Sequence, residues 1–143
     1  MLFAFQGKIW FSIAMKKICL ILCSFLSNSL AVSGAEYECP VSRKIDSERN
    51  YPDSNLQKYT PSVKIKENGD YATVSRCSFQ PSANQVTCDD YNVDFIAQDK
   101  YVGHKKYYMF YNQFDVQLFA DLSFIENNGR ATISYGKCIL TRP

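Results

Sequence analysis

Residues 59–79 read YTPSVKIKENGDYATVSRCSF, and they decide the fold. Tyr59, Val63 and Ile65 recur with period 2, Asn68-Gly69 interrupts, and Tyr71 to Phe79 resumes in the same style. Successive side chains of a strand point to opposite faces, so this alternation predicts two half-buried strands. Asn-Gly is the strongest short hairpin signal, because it tolerates the positive φ that a type I′ turn needs. With Asn68 and Gly69 in the turn, Ile65 is expected opposite Ala72 and Val63 opposite Val74, so that apolar residues share one face.

The chain on either side repeats the pattern. Pro81-Ser82-Ala83-Asn84 separates Ser75–Phe79 from Gln85–Tyr91. A turn centred on Ser82 and Ala83 puts Phe79 across from Val86 and Cys77 across from Cys88. Val74 and Cys77 lie an odd number of residues apart, so the strand needs either a bulge near Ser75-Arg76 or cover on both faces. A third hairpin is expected at Asn128-Gly129, with Phe124 facing Ile133, Leu122 facing Tyr135 and Phe119 near Cys138. Between these lie Val93–Ile96, Lys105–Tyr111 and Phe114–Phe119, rich in aromatic and β-branched residues. Glu36–Val41 is extended in character. Ser42–Lys58 is polar and irregular, with Pro52, Asp53 and Ser54 opening a short helix through Leu56 and Gln57. The prediction is an all-β fold: a small antiparallel barrel or sandwich of about seven to eight strands.

The first 35 residues read as a leader. Met15, Lys16 and Lys17 form a basic start and Ile18 to Leu22 opens an apolar stretch. Ser33-Gly34-Ala35 then supplies the small residues of a cleavage site. Cleavage is expected after Ala35, and Met15 is the more natural initiation residue than Met1. Ser24, Ser27, Asn28 and Ser29 interrupt the apolar run, which falls short of the roughly 20 residues of a spanning helix. Contact with a membrane is therefore expected only through an uncleaved leader. Residues 36–143 are expected to form one exported domain, periplasmic or extracellular.

Of the six cysteines, Cys19 and Cys23 leave with the leader, and Cys39, Cys77, Cys88 and Cys138 remain. An even number in an exported chain argues for two disulfides. The turn arithmetic joins Cys77 to Cys88 and leaves Cys39 for Cys138, tying the first strand to the last. Removing Lys8, Lys16 and Lys17 from 16 basic residues leaves 13 against 14 acidic ones. That near-neutral balance gives no electrostatic case for nucleic acid.

Site chemistry is sparse. His104 is the only histidine, set beside Gly103 and Lys105, and reads as an exposed loop residue. No Gly-x-Ser-x-Gly elbow is present, and the cysteine spacing does not suit zinc. Asp90, Asn92 and Asp94 match the first calcium-loop spacings, but Phe95 and Tyr101 stand where glycine and glutamate are required. These residues read better as a strand with Tyr91, Val93 and Phe95 toward the core. Asp89, Asp90, Asp94, Asp115, Asp121 and Glu126 supply carboxylates that a hydrolase would use. No cofactor is expected.

The most unusual stretch is Lys105-Lys106-Tyr107-Tyr108-Met109-Phe110-Tyr111-Asn112-Gln113-Phe114, and a strand through it is aromatic or apolar on both faces. It is either a central strand buried on both sides or a strand with one face given to recognition. Tyrosine beside lysine offers flat, amphipathic contact area at low entropy cost. Tyr107, Met109 and Tyr111 share one parity, and Tyr108 and Phe110 the other. Lys105, Lys106, Tyr107, Tyr108 and Tyr111 are the candidate binding residues. Tyr37-Glu38-Cys39 at one end and Cys138 at the other resemble the ends of periplasmic inhibitors of c-type lysozyme, which are small exported β-barrels. The Ser-Gly-x-x-Tyr segment that those inhibitors present has no counterpart here. The expected function is a non-enzymatic binding domain for a protein or cell-envelope glycan, as in an inhibitor or immunity-type protein. A carboxylate-dependent hydrolase and a structural envelope component are the alternatives.

Overall fold

The computed structural model describes residues 34–143; the leader and its cleavage signal lie almost wholly outside them. Ten strands and one helix follow in order: β1 (Glu36–Ile45), α1 (Asp53–Tyr59), β2 (Ser62–Asn68), β3 (Tyr71–Gln80), β4 (Gln85–Asn92) and β5 (Phe95–Asp99). The second half comprises β6 (His104–Met109), β7 (Phe114–Leu118), β8 (Ser123–Asn127), β9 (Ile133–Lys137) and β10 (Ile139–Arg142). All pairs are antiparallel, in the order β4-β3-β2-β1-β9-β8-β7-β6-β5, with β10 on β1. The strand number exceeds the expected seven to eight.

Two segments bend the sheet so that its halves face each other. β1 pairs with β2 through Glu36–Pro40 and with β9 through Val41–Ile45, with a register shift between Val41 and Arg43. A strand that changes partners across a bulge makes a corner. This second role extends β1 four residues into the stretch expected to be irregular. The other corner is Val93-Asp94: Val93 N–H donates to Ala72 O, and Asp94 N–H donates to Tyr108 O. The two halves meet through Tyr91 edge-on to Phe114, with ring centroids 4.8 Å apart, and through Arg76 beside Glu126. Val63, Ile65, Val74, Tyr107, Met109 and Phe124 form the centre of the core.

Of the three expected hairpins, two form in a different register and one keeps it. β2 and β3 pair Ile65 with Val74 and Asn68 with Tyr71, so the turn is Gly69-Asp70, two positions from the expected pairing. Gly69 alone takes positive φ, at 65°, the pattern of a glycine-first II′ turn. A shift of two preserves parity, and Val63, Ile65, Ala72 and Val74 still face the core. The β3–β4 hairpin has the expected register, with Phe79 opposite Val86 and Cys77 opposite Cys88. No bulge interrupts β3. Cys77 is instead buried although its parity is opposite to that of Val74, so β3 is covered on both faces; α1 packs against β1 and β3. That helix starts from Pro52 with no side-chain cap, so neither Asp53 nor Ser54 has the capping role expected of it.

The β8–β9 hairpin differs most. Phe124 pairs with Gly136 rather than Ile133, three residues along, and Leu122 lies in the preceding turn with φ 65°. Asn127 Oδ1 accepts from Gly129 N–H and Asn128 Oδ1 from Arg130 and Thr132 N–H. These carboxamides replace ladder partners and widen a two-residue turn to a loop over 128–132. Gly136 makes the resulting register possible: a Cβ there would sit 2.5 Å from Phe124 Cε1 and 2.1 Å from Pro40 O. The disulfides join Cys39 to Cys138, 99 residues apart, and Cys77 to Cys88, 11 apart.

Candidate functional site

β6 carries the lysine-tyrosine stretch, and its two faces have opposite fates. Tyr107 and Met109 point inward and are 0% exposed. Tyr107 is thus a core residue and cannot offer its ring to a partner, which corrects its place among the binding candidates. Its hydroxyl donates to Glu67 Oε1 at 2.7 Å, and Lys105 Nζ lies 2.8 Å from the same oxygen. Lys105 is therefore engaged within the fold as well. A buried hydroxyl is tolerated only with a partner, and β2 supplies one 40 residues away in sequence. Burial, with the Glu67 carboxylate adding to it, raises the Tyr107 pKa far above the usual tyrosine range.

That shift makes stability depend on alkaline pH. Above about pH 10 the unfolded chain releases this proton while the folded chain keeps it. Stability then falls by about 1.4 kcal/mol per pH unit from this group. Tyr107→Phe is expected to lose about 1–2 kcal/mol at pH 7, through a hydrogen bond to a charged acceptor. It should also flatten the alkaline decline. Urea unfolding of both proteins from neutral to strongly alkaline pH measures this, and parallel curves would contradict it.

The outer face is different. Tyr108 lies between Phe95 and Phe110, with ring centroids 6.0 Å and 5.5 Å away, so three rings form a continuous row. Phe95 is 54% and Phe110 59% exposed, and Tyr111, in the β6–β7 turn, is 93% exposed. Lys106 stands over the Tyr108 ring at 4.8 Å and pairs with Asp115 at 3.1 Å. Beside this row lies a depression of about 510 Å³ lined by Asp99, Tyr101, His104, Lys106 and Tyr108. His104 is the half-buried first residue of β6, not an exposed loop residue. Its ring stacks on Phe119 at 4.9 Å, and its Nε2 is buried without a hydrogen-bond partner among the described residues.

Phe95 was expected in the core by alternation with Tyr91 and Val93. The corner at Val93-Asp94 resets the alternation, so Val93 packs inward and Phe95 outward. Asp94 Oδ2 accepts from Phe110 N–H at 2.7 Å and so holds the start of the β6–β7 turn beneath the aromatic row. No signal in the sequence marks this reset.

A second polar centre lies inside the curl. Arg76 Nε is 2.5 Å from Glu126 Oε1, an ion pair without hydrogen-bond alignment, and the guanidinium also lies over the Phe114 ring. Glu126 is 4% exposed. Asp89, Glu126, Arg76, Lys44 and Ser134 line a pocket of about 260 Å³ there. Among the described residues no three His, Cys, Asp or Glu side chains gather to hold a metal ion, and no helix is long and apolar enough to cross a membrane.

These features define the class: a disulfide-stapled, antiparallel β domain with a buried ionic centre and an exposed aromatic row on one outer face. No family model, curated protein or solved structure matches the chain.

Proposed function

We propose that this is an exported, non-enzymatic binding domain, and that the outer face of β5 and β6 holds its partner, a protein or an envelope glycan. The observation that carries this reading is the row Phe95-Tyr108-Phe110, with Phe95 tilted against Tyr108 and Phe110 stacked on it, yet more than half exposed at both ends. A soluble domain gains nothing in its own core from rings it leaves in water, whereas rigid aromatic area beside a cation suits recognition. Two intramolecular disulfides fit an oxidising compartment and so support export.

The working residues on this reading are Phe95, Lys106, Tyr108, Phe110 and Tyr111. Tyr111→Ala and Phe110→Ala are expected to change folding stability by less than about 0.5 kcal/mol, because exposed positions contribute little to the core. Each is expected to weaken capture of the envelope partner about tenfold or more. Thermal unfolding and affinity capture, measured on the same variants, check both halves. Stable variants with undiminished capture would remove this face from the account.

The hydrolase reading has one observation in its favour, the pocket shared by Asp89 and Glu126. Arg76 neutralises Glu126 at contact distance, so the pair serves the fold rather than presenting a free acid.

A further inference from the structure

The sheet order ends on β4 and β5, each with one side left unpaired, and the two edges are built differently. Free strand edges expose N–H and C=O groups, and proteins blunt them with charges, proline, bulges or short length. β4 carries Asp89 and Asp90 and is cross-linked to β3 through Cys88. β5 is Phe95-Ile96-Ala97-Gln98-Asp99, without proline or lysine and with its single charge at the last position. It pairs regularly with β6 along its whole length. Alternate backbone groups of β5 therefore point away from β6. Among the described residues no backbone group meets them.

Beside this edge lies a groove of about 400 Å³, lined by Glu67, Asp70, Asp94, Phe95, Gln98 and Lys105. Lys105 is neutralised by Glu67. Asp70 and Asp94 have no ion-pair partner among the described residues, so the groove is acidic.

We propose that the free edge of β5 docks an extended, lysine- or arginine-bearing segment of a partner protein, which adds as a strand and sets its cations against Asp70 and Asp94. The inference rests on the binding reading above and narrows the partner to a polypeptide. Main-chain hydrogen bonds along the edge supply affinity, and the acidic groove supplies selectivity. A glycan has no alternating amide donors and acceptors to match a strand edge. A second copy of this chain fits poorly, since pairing β5 with β5 would press two acidic grooves together.

The test uses the purified, oxidised protein and a peptide of about eight alternating lysine and threonine residues, enough to cover β5 at roughly 3.4 Å per residue. Its counterparts are the same peptide with glutamate for lysine and a copy N-methylated throughout. The lysine peptide is expected to bind about tenfold or more tighter than the glutamate peptide. Binding should slow amide exchange within residues 95–99, and the N-methylated copy should not bind. Asp70→Lys should weaken the lysine peptide about tenfold. Equal binding of the two charge forms, no binding up to about 1 mM, or binding without protection of residues 95–99 would overturn the proposal. So would a concentration-dependent dimer that protects residues 95–99 while no peptide binds. If the peptide fails but Phe110→Ala and Tyr111→Ala still abolish capture, the edge is wrong and the outer face stands. If the peptide binds at β5 and those variants capture normally, the outer face is wrong and the edge stands.

Discussion

Replacing Cys39 and Cys138 together by alanine is expected to destabilise the domain by about 4–5 kcal/mol, the largest single effect in the molecule. The bond closes a loop of 99 residues, and loop-closure entropy grows with length. Its position adds to this. Cys39 sits where β1 passes from β2 toward β9, and Cys138 sits in the break between β9 and β10. Both are buried in the core cluster. For a domain of this size the loss is comparable with total stability, so the variant should be largely unfolded at physiological temperature. Replacing Cys77 and Cys88 should cost less, about 3 kcal/mol, because that loop is short and the β3–β4 ladder already holds the pair together. Urea unfolding of the two double variants gives the order directly, and a larger loss at Cys77 and Cys88 would contradict this account of the corner.

Arg76→Leu is expected to destabilise by about 3–5 kcal/mol, because it leaves a buried carboxylate without its counter-charge. Glu126 is on β8 and Arg76 on β3, so the pair joins the two halves of the curled sheet. Arg76→Leu combined with Glu126→Leu should recover most of the loss, since a hydrophobic replacement of a buried pair is often close to neutral. The double-mutant cycle separates this from a simple packing defect. Additive losses in the double variant would mean that the two side chains act independently.

How much of this was legible follows from where each signal sits. The β3–β4 register could be read because Cys77 and Cys88 mark it chemically as well as by turn length. The β8–β9 register could not, because Asn127 and Asn128 use their side chains as backbone acceptors, and composition does not distinguish that from a tight turn. Both corners were invisible. Alternation along β1 and across Val93-Asp94 assumes one partner per strand, and each of these segments changes partner.

The candidate site was legible as a segment and not as a face. Parity put Tyr107 with Met109 and Tyr108 with Phe110. Both sets are aromatic or apolar, so hydrophobicity cannot choose between them. Glu67 breaks the tie, since the Tyr107 hydroxyl enters the core only because a carboxylate from β2 meets it. The same contact engages Lys105. Phe95 joins the row through the corner that resets its orientation.

Site-specific photocrosslinking in envelope extract tests the central claim most directly. A photoreactive phenylalanine analogue replaces Phe110 in one variant and Val86, an exposed residue of β4, in another. Saturable crosslinking to one discrete species from position 110, and none from position 86, is the predicted result. Crosslinking from position 86 alone would place the working surface elsewhere and contradict the account.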